Sequence, residues 1–278
     1  MKILNLIFIV LIILFFPIAC NNSKTKKTME QKNTEKEEAF PNGEVIYSAD
    51  SMNMVGYFAS KAKRGSKVPG ILVIHEWWGH NNYARMRADM LAELGYVAFA
   101  IDMYGDGKNA KHPDDAAKFS NAVFQDLEQS KMKFIAAVDK LKSHPLVDEN
   151  KIGAIGYCFG GTVAMNMANA GINLGAVAAF HSSLSFPILA DSTLKTKILV
   201  CNGADDGFIS EESVINFKIM MDNANVDYKY VVYPGAAHSF TSKEADENAK
   251  KFNLPLAYHA EADSASWEEM KILFAKVF

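Results

Sequence analysis

A cysteine stands in a tight glycine frame near the middle of the chain, in the segment Gly156-Tyr157-Cys158-Phe159-Gly160-Gly161. A short apolar run over residues 152–155 precedes this segment, and a run rich in alanine and methionine over 162–170 follows it. The pattern is typical of a strand that turns sharply into a helix and holds one side chain exposed at the turn. It predicts that Cys158 is a nucleophile. The alternative is a buried thiol that only fills space.

Two further residues have the right chemistry to activate such a thiol. A cysteine attacks an acyl carbon as the thiolate, so it needs a base within reach, and the base needs a partner that fixes its tautomer. His238 follows the last predicted strand, and Asp206 lies in the glycine-containing turn 202–209 that leaves another strand. The order cysteine, aspartate, histidine is the order of nucleophile, acid and base in α/β-hydrolases. The alternatives are a solvent-exposed histidine and a turn-forming aspartate.

Strands alternate with helices over most of the chain. The predicted strands follow a leading hairpin over 44–57 and cover residues 70–75, 96–101, 152–155, 176–181, 198–202 and 228–233. The predicted helices cover residues 83–94, 114–141 with a break near 120–126, 162–170, 211–223 and 265–278. The apolar run of the 70–75 strand lacks alternation, which is typical of strands covered on both faces. We therefore expect an α/β-hydrolase fold, with a mostly parallel central sheet and helices on both faces.

The candidate residues all follow predicted strands. In an open α/β sheet, ligand sites lie beyond the carboxyl ends of the strands. Glu76, Cys158, Asp206 and His238 each follow a different predicted strand, at or soon after its end. We therefore expect these four side chains to meet at one edge of the sheet.

From about residue 45 to residue 278 the chain resembles the dienelactone hydrolase family of α/β-hydrolases. The resemblance rests on the cysteine segment 156–161, on His-Glu-Trp-Trp-Gly at 75–79 with Arg85 and the 91–96 segment after it, and on segments 102–104, 203–209 and 237–240. It implies that Cys158 is the nucleophile, His238 the general base and then acid, and Asp206 the residue that orients the imidazole. It also implies that Glu76 contacts the resting thiol and releases it to the histidine when substrate binds.

The resemblance further implies how substrate is held. The backbone N–H groups of Trp77 and Phe159 are expected to form the oxyanion hole. Trp78, Tyr104 and Phe208 are expected to line the substrate pocket; the alternative is that these aromatic rings belong to the core.

Two arginines that hold a substrate carboxylate in founding members of the family are missing here, because segments 105–109 and 239–243 contain none. Lys108, Lys111 or Lys243 could supply a point charge but not a planar bidentate clamp. A neutral ester or lactone with an aromatic or apolar part is therefore expected at least as strongly as dienelactone. No cofactor is expected, and no metal, because paired CxxC or HExxH spacings are missing.

The first 40 residues predict export and anchoring. A basic start, an apolar stretch over 3–19 and then Cys20 indicate a lipoprotein signal peptide over residues 1–20, with Cys20 lipidated and the protein held at a membrane of the bacterial cell envelope. The rival is an uncleaved membrane anchor, and Pro17 stands where a lipobox usually has leucine. Residues 21–40 are charged and almost free of apolar side chains, which indicates a disordered tether. Residues 41–278 suffice for one domain.

The composition restricts the kinds of binding partner that are expected. The net charge of -3, with positive and negative residues interspersed, offers no basic stripe for nucleic acid, so a small-molecule substrate is expected. The sequence leaves the oligomeric state open, and a monomer is favoured. Two other functions stay open. One is a catalytically silent or ligand-binding lipoprotein on a hydrolase fold, and the other is a redox role in which Cys158 and Cys201 form a disulfide.

Overall fold

The computed structural model describes residues 42–278. The predicted signal peptide, the lipidation site Cys20 and the predicted tether lie outside the described residues. Eight strands form one sheet: β1 (Gly43–Ala49), β2 (Met52–Ser60), β3 (Val68–Ile74), β4 (Val97–Ile101), β5 (Val147–Tyr157), β6 (Ala176–Phe180), β7 (Lys197–Gly203) and β8 (Tyr228–Tyr233). The helices are α1 (Asn82–Glu93), α2 (Pro113–Gln125), α3 (Leu127–Lys142), α4 (Phe159–Asn169), α5 (Glu211–Asn223), α6 (Ala245–Phe252) and α7 (Ala260–Val277).

The strand order in the sheet is β1-β2-β4-β3-β5-β6-β7-β8. The pairs from β4 through β8 are parallel, whereas β1 and β2 form an antiparallel hairpin whose second strand pairs antiparallel with β4. The carboxyl ends of β3, β5, β7 and β8 therefore open on the same edge. This architecture confirms the predicted α/β-hydrolase fold.

Both faces of the sheet are covered, which explains the unbroken apolar runs of its inner strands. Side chains of α3, α4 and α5, such as Phe134, Val163 and Phe217, join the core on one face. Side chains of α1 and α7, such as Leu91 and Phe274, join the core on the other face. Strands β4 and β6 are buried along their whole length. None of the helices between residues 42 and 278 is long and apolar enough to cross a bilayer.

The predicted break in the 114–141 helix occurs at a single residue, Asp126. Its φ of -122° and ψ of 83° end α2, and its carboxylate then accepts a hydrogen bond from the Gln129 N–H at 2.9 Å, which caps α3. Aspartate is a favoured N-cap because its side chain satisfies an amide that the helix leaves unpaired. One residue therefore ends one helix and begins the next.

Two boundaries and one whole helix differ from the sequence-based expectation. Strand β5 begins at Val147 rather than at 152, because the polar residues Asp148, Glu149 and Asn150 interrupt the apolar pattern while the backbone stays extended. Helix α7 begins at Ala260 rather than at 265, after His259, whose side chain accepts from the Ala262 N–H. Helix α6 was not predicted, because only Ala245 of its eight residues is buried and it lacks an apolar stripe.

Candidate active site

Cys158 occupies a strained turn between β5 and α4. Its φ of 51° and ψ of -116° lie in a region that residues with a side chain rarely adopt. Its N–H donates to the Phe180 carbonyl at 2.9 Å, which ties the turn to the neighbouring strand β6. The half-buried thiol therefore projects from the carboxyl end of the sheet.

Close backbone approach explains the glycines of the turn. A Cβ on Gly156 would overlap the Gly160 carbonyl, and a Cβ on Gly160 would overlap the carbonyl of Ile74 at the end of β3. Helix α4 can therefore start directly against two strands only if both positions lack a side chain. This packing brings Phe159 and the loop after β3 to the same place.

His238 joins the thiol to a carboxylate. Its Nε2 lies 3.1 Å from the Cys158 Sγ, and its Nδ1 lies 2.8 Å from the Asp206 Oδ2. The other carboxylate oxygen of Asp206 accepts the Phe208 N–H at 2.9 Å, so the carboxylate is held on both sides. The neighbouring Asp205 is exposed and its N–H donates to the Ala236 carbonyl. The structure thus brings Cys158, His238 and Asp206 together in the order that the sequence suggested.

The surroundings of His238 favour its charged form. Burial by itself lowers the pKa of this imidazole, but the charge of a Cys158 thiolate, the hydrogen bonds to Asp206 and Cys158 and the charge of Asp206 outweigh burial and raise the pKa to about 10. A protonated imidazole next to a thiolate is the ion pair that activates cysteine nucleophiles.

Glu76 lies at the site but pairs with a different residue from the one expected. Its Oε1 accepts a hydrogen bond from the Ser239 hydroxyl at 3.0 Å, and among the hydrogen bonds of residues 42–278 none joins Glu76 to Cys158. Burial raises the pKa of the Glu76 carboxyl from 4.5 to about 7, although the Ser239 hydroxyl and the nearby His238 charge oppose the shift. The thiol is held by His238, and the glutamate by Ser239.

The backbone amides of Phe159 and Trp77 belong to two residues that line the same cavity as Cys158. Phe159 is the first residue of α4, and Trp77 lies in the loop after β3. Within the described chain, neither amide N–H has a protein acceptor. Unpaired N–H groups at a helix start, next to a nucleophile, are suited to bind a developing oxyanion.

A cavity of about 450 Å³ opens onto Cys158 and His238. Its walls are mainly apolar, with four hydroxyl groups and no charged side chain apart from the histidine. The lining residues are Trp77, Ser120, Phe124, Cys158, Phe159, Thr162, Ser183, Ser185, Pro187, Phe208, Ile209, His238, Leu254 and Leu256.

Only one of the three aromatic residues expected to line the pocket does so. Phe208 is 56% exposed at the cavity mouth, and its ring meets the His238 ring edge-on at 4.9 Å. Tyr104 is instead buried beneath the cavity, where its hydroxyl donates to the Trp77 carbonyl at 2.8 Å. Trp78 is buried against Phe252, at 5.8 Å between ring centroids, on the far side of the same loop. Tyr104 and Trp78 therefore support the loop that carries Trp77 rather than contact the cavity.

A buried polar network holds the loop that carries His238. The Thr241 hydroxyl lies 2.7 Å from the His181 Nε2 and 2.5 Å from the Tyr83 hydroxyl. Arg87, which is 2% exposed, donates to the Thr241 carbonyl at 2.7 Å and to the Asp263 carboxylate at 2.6 Å. The His181 ring in turn packs edge-on against the His238 ring at 5.3 Å.

Sequence reasoning did not assign this network. One signal was available: Arg87 is a charged residue on the stripe of α1 that also holds Tyr83, Ala84, Ala88 and Leu91, all buried. A charge on an apolar helix stripe needs a buried partner.

Cys201 lies away from the site. It is fully buried in β7, in the core on the α1 and α7 face, and the Tyr233 hydroxyl donates to its sulfur at 3.5 Å. Burial raises the pKa of the Cys201 thiol to about 12, so the residue is a poor thiolate. Both described cysteines are free thiols. Between residues 42 and 278, no cluster of three histidine, cysteine, aspartate or glutamate side chains has the arrangement of a metal site.

The fold and the site together define an α/β-hydrolase. Residues 54–278 match the profile of the dienelactone hydrolase family. The chain is 31% identical to Protein usf of Aquifex pyrophilus over 208 residues. The aligned region covers 73% of this chain and 88% of that relative. Relatives named as carboxymethylenebutenolidases include one from Aquifex aeolicus that is 28% identical over 208 residues, 73% of this chain and 88% of the relative.

Two solved structures extend the similarity. One, named m3DLH, has a TM-score of 0.80 and 34% identity, and the alignment covers 86% of this chain and 98% of the m3DLH chain. The other, a dienelactone hydrolase-like promiscuous phosphotriesterase from metagenomic libraries, has a TM-score of 0.79 and 31% identity with the same coverage. This chain belongs to the dienelactone hydrolase family, and it is a hydrolase.

The buried Glu76 carboxyl predicts a pH-dependent stability. Because its pKa is raised from 4.5 to about 7 in the folded state, the folded protein binds this proton more tightly than the unfolded chain. The contribution of Glu76 to the free energy of unfolding is therefore fully present below pH 4.5, the unfolded-state pKa, and is lost as the pH rises through the folded-state pKa of about 7. Relative to Glu76→Gln, the wild type should lose up to about 3 kcal/mol over this interval. Urea unfolding at several pH values measures the difference.

The exposed Glu149→Gln variant is the control, and its unfolding free energy should follow the wild type at every pH. Parallel curves for wild type and Glu76→Gln would show that Glu76 does not hold a proton in the folded protein.

Proposed function

We propose that this protein hydrolyses a small ester or lactone through a thioester on Cys158. His238 acts as base and then acid, and Asp206 fixes the imidazole. The observation that carries the proposal is the continuous contact from the Asp206 Oδ2 to the His238 Nδ1 at 2.8 Å and from the His238 Nε2 to the Cys158 Sγ at 3.1 Å. This geometry allows one proton to move between thiol and imidazole while the carboxylate holds the other ring nitrogen.

In the first step the thiolate of Cys158 attacks the acyl carbon, and the carbonyl oxygen becomes an oxyanion. In this proposal the N–H groups of Trp77 and Phe159 donate to that oxygen, and their lack of a protein acceptor within the described chain supports this role. When the carbonyl re-forms, the carbon–oxygen bond to the leaving group breaks, and the His238 Nε2–H gives its proton to the departing alkoxide. The products are an alcohol and a thioester; with a lactone, the alcohol stays attached to the acyl group.

In the second step water attacks the thioester. His238, now neutral, takes a proton from the water as the new oxygen–carbon bond forms. The tetrahedral intermediate then expels the Cys158 thiolate, and a carboxylic acid leaves. The proton remains on His238, so the ion pair of the starting state is restored.

We propose that the acyl part of the substrate is uncharged. The cavity presents apolar side chains and the hydroxyls of Ser120, Thr162, Ser183 and Ser185. The three lysines that could replace the missing arginines lie elsewhere: Lys108 pairs with Asp106 at 3.4 Å, and Lys111 and Lys243 line other surface depressions. A carboxylate in this cavity would be desolvated with no cation except His238, which is already hydrogen-bonded to Asp206 and Cys158, and such desolvation is costly.

We also propose that the protein is exported, lipidated at Cys20 and monomeric. The support is the sequence of residues 1–20, with its basic start, apolar stretch and terminal cysteine. Mass spectrometry of protein extracted from membranes tests the anchor. A diacylglyceryl-modified Cys20 at the mature N-terminus is expected, whereas an intact Met1 or an unmodified Cys20 would contradict it.

Removing the thiol should abolish turnover. Cys158→Ala is expected to lower kcat for p-nitrophenyl acetate by roughly 10⁴-fold or more, because no group is left to form the thioester. In the wild type, rapid acid quenching followed by mass spectrometry should find an acetyl group on the peptide that contains Cys158. Cys201→Ala is the matched control and should keep its turnover.

The same experiment distinguishes a hydrolase from a catalytically silent, ligand-binding protein. Wild-type protein without turnover of any ester would favour that function. Turnover retained by Cys158→Ala would contradict the nucleophile assignment.

The charge of the acyl group should decide the rate. With a common p-nitrophenyl leaving group, the butyrate ester should have a kcat/KM at least about tenfold above the hemisuccinate ester, because the second carboxylate must lose its water in an apolar cavity. Steady-state kinetics at several salt concentrations measures the ratio. A preference for the hemisuccinate would mean that the cavity supplies a cation after all.

A further inference from the structure

A second, polar depression lies on the other side of the loop that carries Trp77. It has a volume of about 490 Å³, and the start of α1, the 109–111 loop and α6 form its walls. The residues that matter for its chemistry are His80, Arg85, Lys111, Lys251, Asn248 and Glu244. The proposed chemistry uses none of them.

The depression carries an excess of positive charge. Arg85, Lys111 and Lys251 line it, against the single carboxylate of Glu244. Arg85 is paired with Glu44 at 2.8 Å, but Lys111 and Lys251 form no ion pair within the described chain; the Lys251 ammonium lies 4.9 Å from the Phe252 ring centre. The N-terminus of α1 adds a partial positive charge at the same wall. Two unpaired ammonium groups and a helix start favour an anion.

Buried polar atoms without partners line the same depression. His80 is 2% exposed, and neither of its ring nitrogens has a hydrogen-bond partner in the described chain; the Nε of Arg85 also lacks one. A buried polar group left unpaired is destabilising. Burial, and to a smaller extent the nearby Arg85 charge, lower the pKa of His80 to about 3, so the ring is neutral and offers one N–H donor. Native proteins satisfy such groups with water, ions or ligands.

We infer that this depression binds an anionic group, a carboxylate or a phosphate, through the ammonium groups of Lys111 and Lys251 and the unpaired N–H groups of His80 and Arg85. The group has two possible sources. It is either a free anion or the charged end of a substrate whose ester bond lies in the catalytic cavity. The second source rests on the proposed function, whereas the binding itself does not.

The two sites share their dividing wall. Trp77 lines the catalytic cavity and Trp78 lines the depression, with their ring centroids 5.1 Å apart. Phe252 lines the depression, and Leu254, two residues further on, lines the cavity. A molecule that crosses this wall, or an anion that rigidifies it, therefore bears directly on the loop that supplies the Trp77 amide.

Binding is tested with inorganic phosphate on the Cys158→Ala protein, which keeps catalysis out of the readout. Isothermal titration calorimetry at constant ionic strength, with chloride as the reference salt, should show saturable binding. The double variant Lys111→Met/Lys251→Met should weaken that binding at least tenfold, and Lys243→Met, a lysine of a different depression, should leave it unchanged. Lack of saturable binding, or equal binding by the double variant, would overturn the inference.

A pair of esters distinguishes the two sources of the anion. Acetate esters of 4-hydroxybenzoate and of 4-hydroxybenzamide share a neutral acyl group and differ by one carboxylate in the leaving group. If the substrate carries the anion, the benzoate ester should have a kcat/KM at least tenfold higher, and the double lysine variant should remove the difference. Equal rates together with phosphate binding identify a free anion. Phosphate binding without hydrolysis of either ester would sink the proposed function but leave the anion site standing.

Discussion

The close contact between the start of α4 and the ends of two strands is the constraint on which the site depends. Gly156 and Gly160 bring backbone against backbone, and Cys158 between them takes a strained conformation. Strain of this kind costs of the order of 1–3 kcal/mol and persists only where the surroundings enforce it. The two cores above and below the sheet enforce it, and the result is one thiol fixed at the meeting point of β3, β5 and the loop of Trp77.

His238 lies in a loop, so its position depends on the hydrogen bonds that hold that loop. No strand or helix contains His238, yet its loop is held at several points: the His238 carbonyl accepts from the Ala257 N–H, the Phe240 carbonyl from the His259 N–H, and the Thr241 carbonyl from Arg87. The segment after α6 and the start of α7 therefore help to position His238. Ala257 and His259, which lie 19 and 21 positions after His238 in the chain, make these contacts. Loops on a rigid scaffold can be positioned precisely in this way.

The parallel strands, most helices and the meeting of Cys158, Asp206 and His238 could be predicted from sequence, because buried strands, glycine turns and chain order leave strong local signals. The hydrogen-bond and packing partners of the site residues could not be predicted from sequence. The Ser239 hydroxyl donates a hydrogen bond to Glu76; Ser239 follows His238 and has a φ of 59°, and nothing in the local sequence pattern indicates that contact. Trp78 and Tyr104 were assigned to the pocket from their type and position alone, whereas tertiary packing places both rings behind the loop. Helix α6, which is mostly exposed and charged, supplies one wall of the polar depression, and Leu254, just after its end, lines the catalytic cavity.

The charges around the site restrict where a proton can reside. Burial lowers the pKa of both His75 and His181, so these two imidazoles are neutral beside the cavity. Burial also raises the pKa of the Glu76 carboxyl to about 7, while the thiolate and Asp206 raise that of His238 to about 10. A negative charge at Glu76 is stabilised by the Ser239 hydroxyl and by the nearby His238 and Arg87 charges, whereas the positive charge of His238 has a hydrogen-bond partner on each ring nitrogen. The His238–Cys158 pair can therefore exchange a proton while its two partners stay in contact, and the neutral imidazoles of His75 and His181 do not compete as cations at the same place.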